Sequence, residues 1–159
     1  MQAQAVQDAA RSINLTIRVF WAGDEHEMTE ALNSVAHEGA AALMVGADPF
    51  FDTYRTLLTG WANNHKLPTM FQFREYALAG GLMSYGINLP DVYRQIGVYT
   101  GRILKGEKPA QLPVLQPSKF DFVINQKTAK TLGIRIPSGV LAIADEVIEV
   151  KPRQSVACS

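Results

Sequence analysis

The sequence predicts an α/β fold: a three-layer, doubly wound domain built on a mostly parallel sheet. Three observations carry this expectation. Short apolar or β-branched runs alternate with segments of helical periodicity along almost the whole chain. The runs "AALMVG" and "LPTMFQF" show little polar alternation, as suits strands buried on both faces. The length, 159 residues, is that of one domain on the usual scale of roughly 100–200 residues.

Taken in order, "QAQAVQDAARSI" places Ala5, Val6, Ala9, Ala10 and Ile13 at three- and four-residue spacing, which makes one apolar helical stripe. "LTIRVFWA" is rich in β-branched and aromatic residues and reads as a strand. Asp24 suits an N-cap, with Glu27 three residues on as in a capping box, and Gly39 suits the end of that helix. "AALMVG" is the next strand. "ADPFFDTYRTLLTGWANNHK" turns through Asp48-Pro49 into a helix carrying Tyr54, Leu57, Leu58 and Trp61. "LPTMFQF" is a strand, "REYALAGG" a brief helix ended by Gly80-Gly81, and "LMSYG" a strand. A long helix starts near Pro90, and a connector with three prolines follows it. "FDFVIN" is a strand, "QKTAKTLG" a short helix, "IRIP" extended, and "SGVLAIADEVIEV" a final helix. "KPRQSVACS" reads as a loose tail.

Composition and motifs argue against several kinds of function. Fifteen basic and fifteen acidic residues balance, and no stretch concentrates Lys and Arg, so nucleic-acid binding has no electrostatic support. The one cysteine, Cys158, cannot make an internal disulfide or a thiolate metal site. His26, His37 and His65 fit no zinc-ligand spacing. Asp24-Glu25-His26-Glu27 is better explained by a helix start. Around Ser84 the chain lacks the first glycine of a G-x-S-x-G nucleophile elbow, because Leu82 holds that place. No glycine-rich phosphate loop is present, so no nucleotide cofactor is expected. The first twenty residues lack a basic region followed by an apolar one, and no run approaches the ~20 apolar residues of a membrane span.

Ligands of parallel α/β sheets gather at the carboxyl ends of strands. Two loops are thereby marked, "GADPFF" and "QFREY", which follow strands of one sheet and should share a rim. Asp48 suits either a helix N-cap or a hydrogen bond to a ligand amine or hydroxyl. Of Phe50 and Phe51, one ring can enter the core while the other walls a pocket. Arg74 and Glu75 suit an ion pair at a helix start, or recognition of a ligand carboxylate by the guanidinium.

The stretch from "LPTMFQFREYALAGGLMSYG" through "RILKGEKPAQLPV", "VINQKTAKTLGI" and "LAIADEVIE" resembles the second lobe and C-terminal part of ABC-transporter substrate-binding proteins, the group that includes aromatic amino-acid binders. "ALMVGADPFF" fits the same lobe. The resemblance implies one lobe of a type I periplasmic-binding-protein fold over residues 1–150, with a loose tail over 151–159. It implies a small-molecule solute such as an amino acid or carboxylate, clamped between two lobes by hinge closure. It implies a permease partner, no catalysis and no cofactor. Asp48, Phe50, Phe73, Arg74 and Glu75 would contact the ligand, and Tyr85, near the hinge, would add a hydroxyl. Family members work outside the cytoplasmic membrane; without an export signal, this chain would be cytoplasmic if complete. Members also carry a first lobe that is absent here. The helix over 90–104 would therefore lose its partner and swing onto another surface, pair with a second copy, or stay mobile. The alternative expectation is a lone-lobe dimeric scaffold, or a truncated remnant without transport activity.

Overall fold

A computed structural model describes residues 2–149. Helix α1 (Gln2–Ser12) opens the chain, and helix α2 (Glu25–His37) follows. The Asp24 carboxylate caps α2 by accepting from the Glu27 amide, and Glu27 accepts in turn from the Gly23 amide. Strand β1 (Leu43–Met44) leads into α3 (Pro49–Thr53) and α4 (Arg55–Asn64), one expected helix broken at Tyr54. Then come β2 (Thr69–Phe71), α5 (Arg74–Leu78), β3 (Met83–Ile87) and α6 (Leu89–Leu104). A 3₁₀ turn (Pro109–Gln111) interrupts the proline-rich connector. The chain returns as β4 (Phe120–Asn125), α7 (Gln126–Leu132), α8 (Ser138–Ala142) and β5 (Glu146–Ile148). The tail over 151–159, with Cys158, lies outside the described residues.

The five strands lie in the order β1-β2-β3-β4-β5. All neighbours pair in parallel except β3 with β4, which run antiparallel over five residue pairs. The expected α/β class, with a mostly parallel sheet flanked by helices, is what forms.

Two elements differ from the sequence reading. Residues 15–22 make no strand. A strand needs a neighbour for its backbone donors and acceptors, and among the described strands β1 pairs only with β2. Leu15, Ile17 and Trp21 are correspondingly exposed. The expected final helix over 138–150 is instead the short α8 followed by β5. Val147 and Ile148 join the sheet opposite Ile124 and Asn125. A short apolar run does not by its periodicity separate helix from buried strand.

The core lies on one face of the sheet. Met28 and Leu32 of α2, Leu58 of α4 and Tyr76 of α5 pack with Val45 and Phe71. Residues in register share a face, so Ser84 opposite Phe71 and Val123 opposite Ser84 belong to this side, and all three are buried. The other face carries the row Met44, Met70 and Met83. There Met44 and Tyr85 are exposed, at 59% and 57%. α6 buries none of its residues, and Tyr93, Ile96, Val98, Ile103 and Leu104 stand exposed along it. Among the described residues, no helix is long and apolar enough to cross a membrane.

Two glycines fix how the strands approach. A Cβ on Gly86 would collide with the backbone oxygen of Gln72, so the end of β3 passes the exit of β2 with no room for a side chain. A Cβ on Gly81 would meet the Phe71 ring at 2.7 Å. Gly97 in α6 has nothing within 4 Å of its added Cβ. Gly86→Ala should therefore destabilise by about 1–3 kcal/mol or more, because backbone must move. Gly97→Ala should stabilise by about 0.5–1 kcal/mol through helix propensity. Urea denaturation of the two variants beside the parent checks both signs.

Candidate functional site

Strand direction brings the two marked loops and three further segments to one edge. β1, β2 and β3 are parallel, so their carboxyl ends lie together. β4 runs against β3, and β5 runs with β4, so both enter the sheet at that same edge. Side chains from the exits of β2 and β3 thus meet side chains from the entries of β4 and β5.

The helix that presents Arg74 and Glu75 is five residues long, too short to hold itself in water. Its position comes from burial and from its carbonyls. Tyr76 and Ala77 are fully buried, and the Tyr76 ring stacks on Phe71 with centroids 4.4 Å apart. The Tyr76 hydroxyl donates to Asp52 at 2.8 Å. Burial, and then that hydrogen bond, push the phenol well above its ordinary range. At the end of α5 backbone amides supply part of what the carbonyls need, Gly81 N donating to Tyr76 O at 2.8 Å and Gly80 N to Ala77 O at 3.2 Å, and side chains add the rest. Asn125 Nδ2 donates to Ala77 O at 2.8 Å, and Thr59 Oγ1 lies 3.2 Å from Ala79 O, sharing its one proton with Arg55 O at 3.0 Å. Asn63 Nδ2 and Thr128 Oγ1 both donate to Gly80 O. Gly80 takes φ 107°, which ends the helix.

At the other end of α5, Arg74 forms a two-bond fork on Glu146 of β5, Nε to Oε2 at 2.6 Å and Nη2 to Oε1 at 2.8 Å. These bonds are the largest influence on the guanidinium and raise its pKa. Arg74 and Glu75 line a cavity of about 250 Å³ with Ile87, Asn88, Leu89, Pro90, Asp121, Val123, Asp145 and Glu146. Asn88 braces it twice: Oδ1 caps α6 at the Asp91 amide, and Nδ2 donates to Asp121 Oδ2 at 2.6 Å. Asp145 Oδ2 accepts from the Phe122 amide at 2.7 Å.

Of the residues expected at a site, only Arg74 and Glu75 line this cavity. Asp48 lies beyond β1 at the same edge and caps α3, accepting from the Phe50 amide at 2.8 Å. The Phe50 ring lies against Phe51 and Tyr54 at the core margin, which Phe73 also joins. Tyr85 stacks on Phe120 on the opposite face. Ser84 is buried with its hydroxyl unpartnered, and its setting is that of a core residue. His65 stacks on Trp61, and His26 lies near Glu30 on the surface of α2. Among the described residues, no cluster suited to a metal ion forms. Asp145 and Glu146 escaped sequence reasoning because "DEVIE" reads as helix. Asp121 escaped because nothing local shows that β4 is antiparallel. The signal available in hindsight is carboxylates at the amino ends of two β-branched runs.

A family model described as "ABC transporter substrate binding protein" matches residues 1–148. A comparison with curated proteins finds no match. Among solved structures, the ABC domain from Streptococcus pneumonia in complex with L-Trp is similar, with TM-score 0.84 and 28% identity. The similarity covers 92% of this chain and 50% of that one. A conserved domain protein from Vibrio cholerae O1 biovar El Tor matches at TM-score 0.82 and 25% identity, covering 92% of this chain and 49% of that one. A ligand-free, open substrate binding protein with adhesive properties from Clostridium difficile shares the fold at TM-score 0.63 and 21% identity, covering 94% and 50%. The chain spans about half the length of each.

The clamp on α5 makes a direct prediction. Asn125 both satisfies Ala77 O and caps α7 at the Thr128 amide. Asn125→Ala should cost about 1–3 kcal/mol, a lost hydrogen bond to a carbonyl that the Gly80 amide still partners at 3.2 Å, added to a lost N-cap. Chemical denaturation measures it, and a cost below about 1 kcal/mol would show that the clamp does not hold α5.

Proposed function

The chain belongs to the ABC transporter substrate binding protein family, and we propose that it is the solute-binding component of an ABC-type importer, or one lobe of that component. The observation that carries this reading is the cavity at the strand ends, built from α5, the exit of β3 and the entries of β4 and β5. Its about 250 Å³ is small beside the roughly 300–1,000 Å³ of complete ligand pockets. A second wall therefore completes the site. The half-length match to solved relatives supports a second lobe as that wall. The ligand proposed is a small organic solute such as an amino acid. That the related streptococcal domain carries L-Trp supports this class.

In this proposal Arg74 and Glu75 meet the solute directly. Asp48, Phe50 and Phe73 extend the same rim toward β1. Tyr85 lies on the opposite face of β3, stacked on Phe120, and takes no part in this cavity. α6 lays its exposed apolar residues on the second lobe. The protein acts outside the cytoplasmic membrane, beside a permease, and catalyses no reaction.

A second reading rests on α6 itself. Burying a large apolar side chain is worth about 1.5–3 kcal/mol, so an unpartnered Tyr93, Ile96 and Leu104 favour a dimer through this helix. Light scattering separates the readings: a dimer that Ile96→Asp dissolves supports the scaffold. For solute binding, a thermal-shift screen of amino acids, small carboxylates and amines is decisive. A ligand at ten times its Kd should raise Tm by about 3–5 °C, and Glu75→Gln should reduce the shift. No shift with any compound, in this chain and in a protein carrying both lobes, would contradict the proposal.

A further inference from the structure

Resting on the solute-binding reading above, we infer that this cavity takes the cationic end of its ligand, an ammonium group on an apolar body, and disfavours a free carboxylate. The cavity holds four carboxylates, Glu75, Asp121, Asp145 and Glu146, against the single guanidinium of Arg74, a formal excess of three negative charges. The guanidinium would be the natural partner of a ligand carboxylate. It is already engaged by both oxygens of Glu146, at 2.6 and 2.8 Å. A ligand carboxylate would have to displace Glu146 and leave that group facing three others of its own sign.

The remaining carboxylates are differently placed. Among the described residues no Lys, Arg or His forms an ion pair with Glu75, Asp121 or Asp145. Asp121 and Asp145 are each turned by one hydrogen bond, from Asn88 Nδ2 and from the Phe122 amide, on their Oδ2 atoms. Among the described residues the Oδ1 of each has no protein donor, which leaves it to an ammonium with its three donors and no acceptor. Ile87, Leu89 and Pro90 supply an apolar wall beside these acids for the body of the ligand. An amino acid would enter ammonium first, its carboxylate directed out of the cavity toward the completing wall.

The test uses three probes that share one aromatic body: tryptamine, L-tryptophan and indole-3-propionate. Ligand-observed NMR titration of the 159-residue chain at low salt gives a Kd for each. The expected order is tryptamine tightest and indole-3-propionate weakest, separated by about fivefold or more, the scale of one partly exposed charge pair. Added salt should narrow the gap. Glu75→Gln should weaken tryptamine several-fold while leaving indole-3-propionate no weaker. Indole-3-propionate binding as tightly as tryptamine would overturn the charge inference and leave the solute-binding reading standing. No binding by any of the three, at concentrations of several millimolar, would overturn both.

Discussion

The carbonyl end of α5 governs the site. A five-residue helix has little stability of its own, yet α5 carries two of the five charged residues that line the cavity. Its exposed peptide oxygens would be costly inside a fold. Thr59 and Asn63 reach them from α4, and Asn125 and Thr128 from the start of α7. Four polar side chains from two other helical segments thereby fix one short helix against the buried Phe71 and Tyr76. The fork between Arg74 and Glu146 ties the opposite end to β5. Held at both ends, α5 has one orientation, and Glu75 faces the cavity because of it.

Strand direction supplies the rest. A wholly parallel sheet would send the amino ends of β4 and β5 to the far edge. The antiparallel entry of β4 against β3 reverses them, so Asp121, Asp145 and Glu146 arrive beside the exits of β2 and β3. Gly86 permits the close passage this requires, since its Cα lies against the Gln72 carbonyl. The two faces of the sheet are unequal. One is buried beneath α2, α4 and α5. The other presents Met44 and Tyr85 to solvent, and α6 presents a row of apolar side chains. In the proposed function these surfaces are where a second lobe or a second copy packs.

Local chemistry was legible in the sequence. The caps at Asp24 and Asp48 and the ends at Gly39 and Gly80 follow from backbone geometry that only certain residues satisfy. The strands of "LPTMFQF", "LMSYG" and "FDFVIN" follow from composition. Long-range pairing was not legible. Residues 15–22 have every local property of a strand, but pairing needs a neighbour, and none lies beside them among the described strands. "DEVIE" is equally good as helix or strand until Ile124 and Asn125 are set opposite it. The same blindness limits the site. Arg74 was visible as a charged residue in a marked loop, but its partner lies 72 positions away. Whether that guanidinium is free or already engaged decides what it can bind, and no local pattern contains the answer.

The central claim is that the edge shared by α5, the exit of β3 and the entries of β4 and β5 receives the solute. A map of backbone amide chemical-shift changes on adding L-tryptophan to the labelled chain tests it most directly. Changes are expected to concentrate at residues 73–76, 86–89, 120–123 and 144–147. Changes centred instead on α6, or on the face carrying Met44 and Met70, would contradict it.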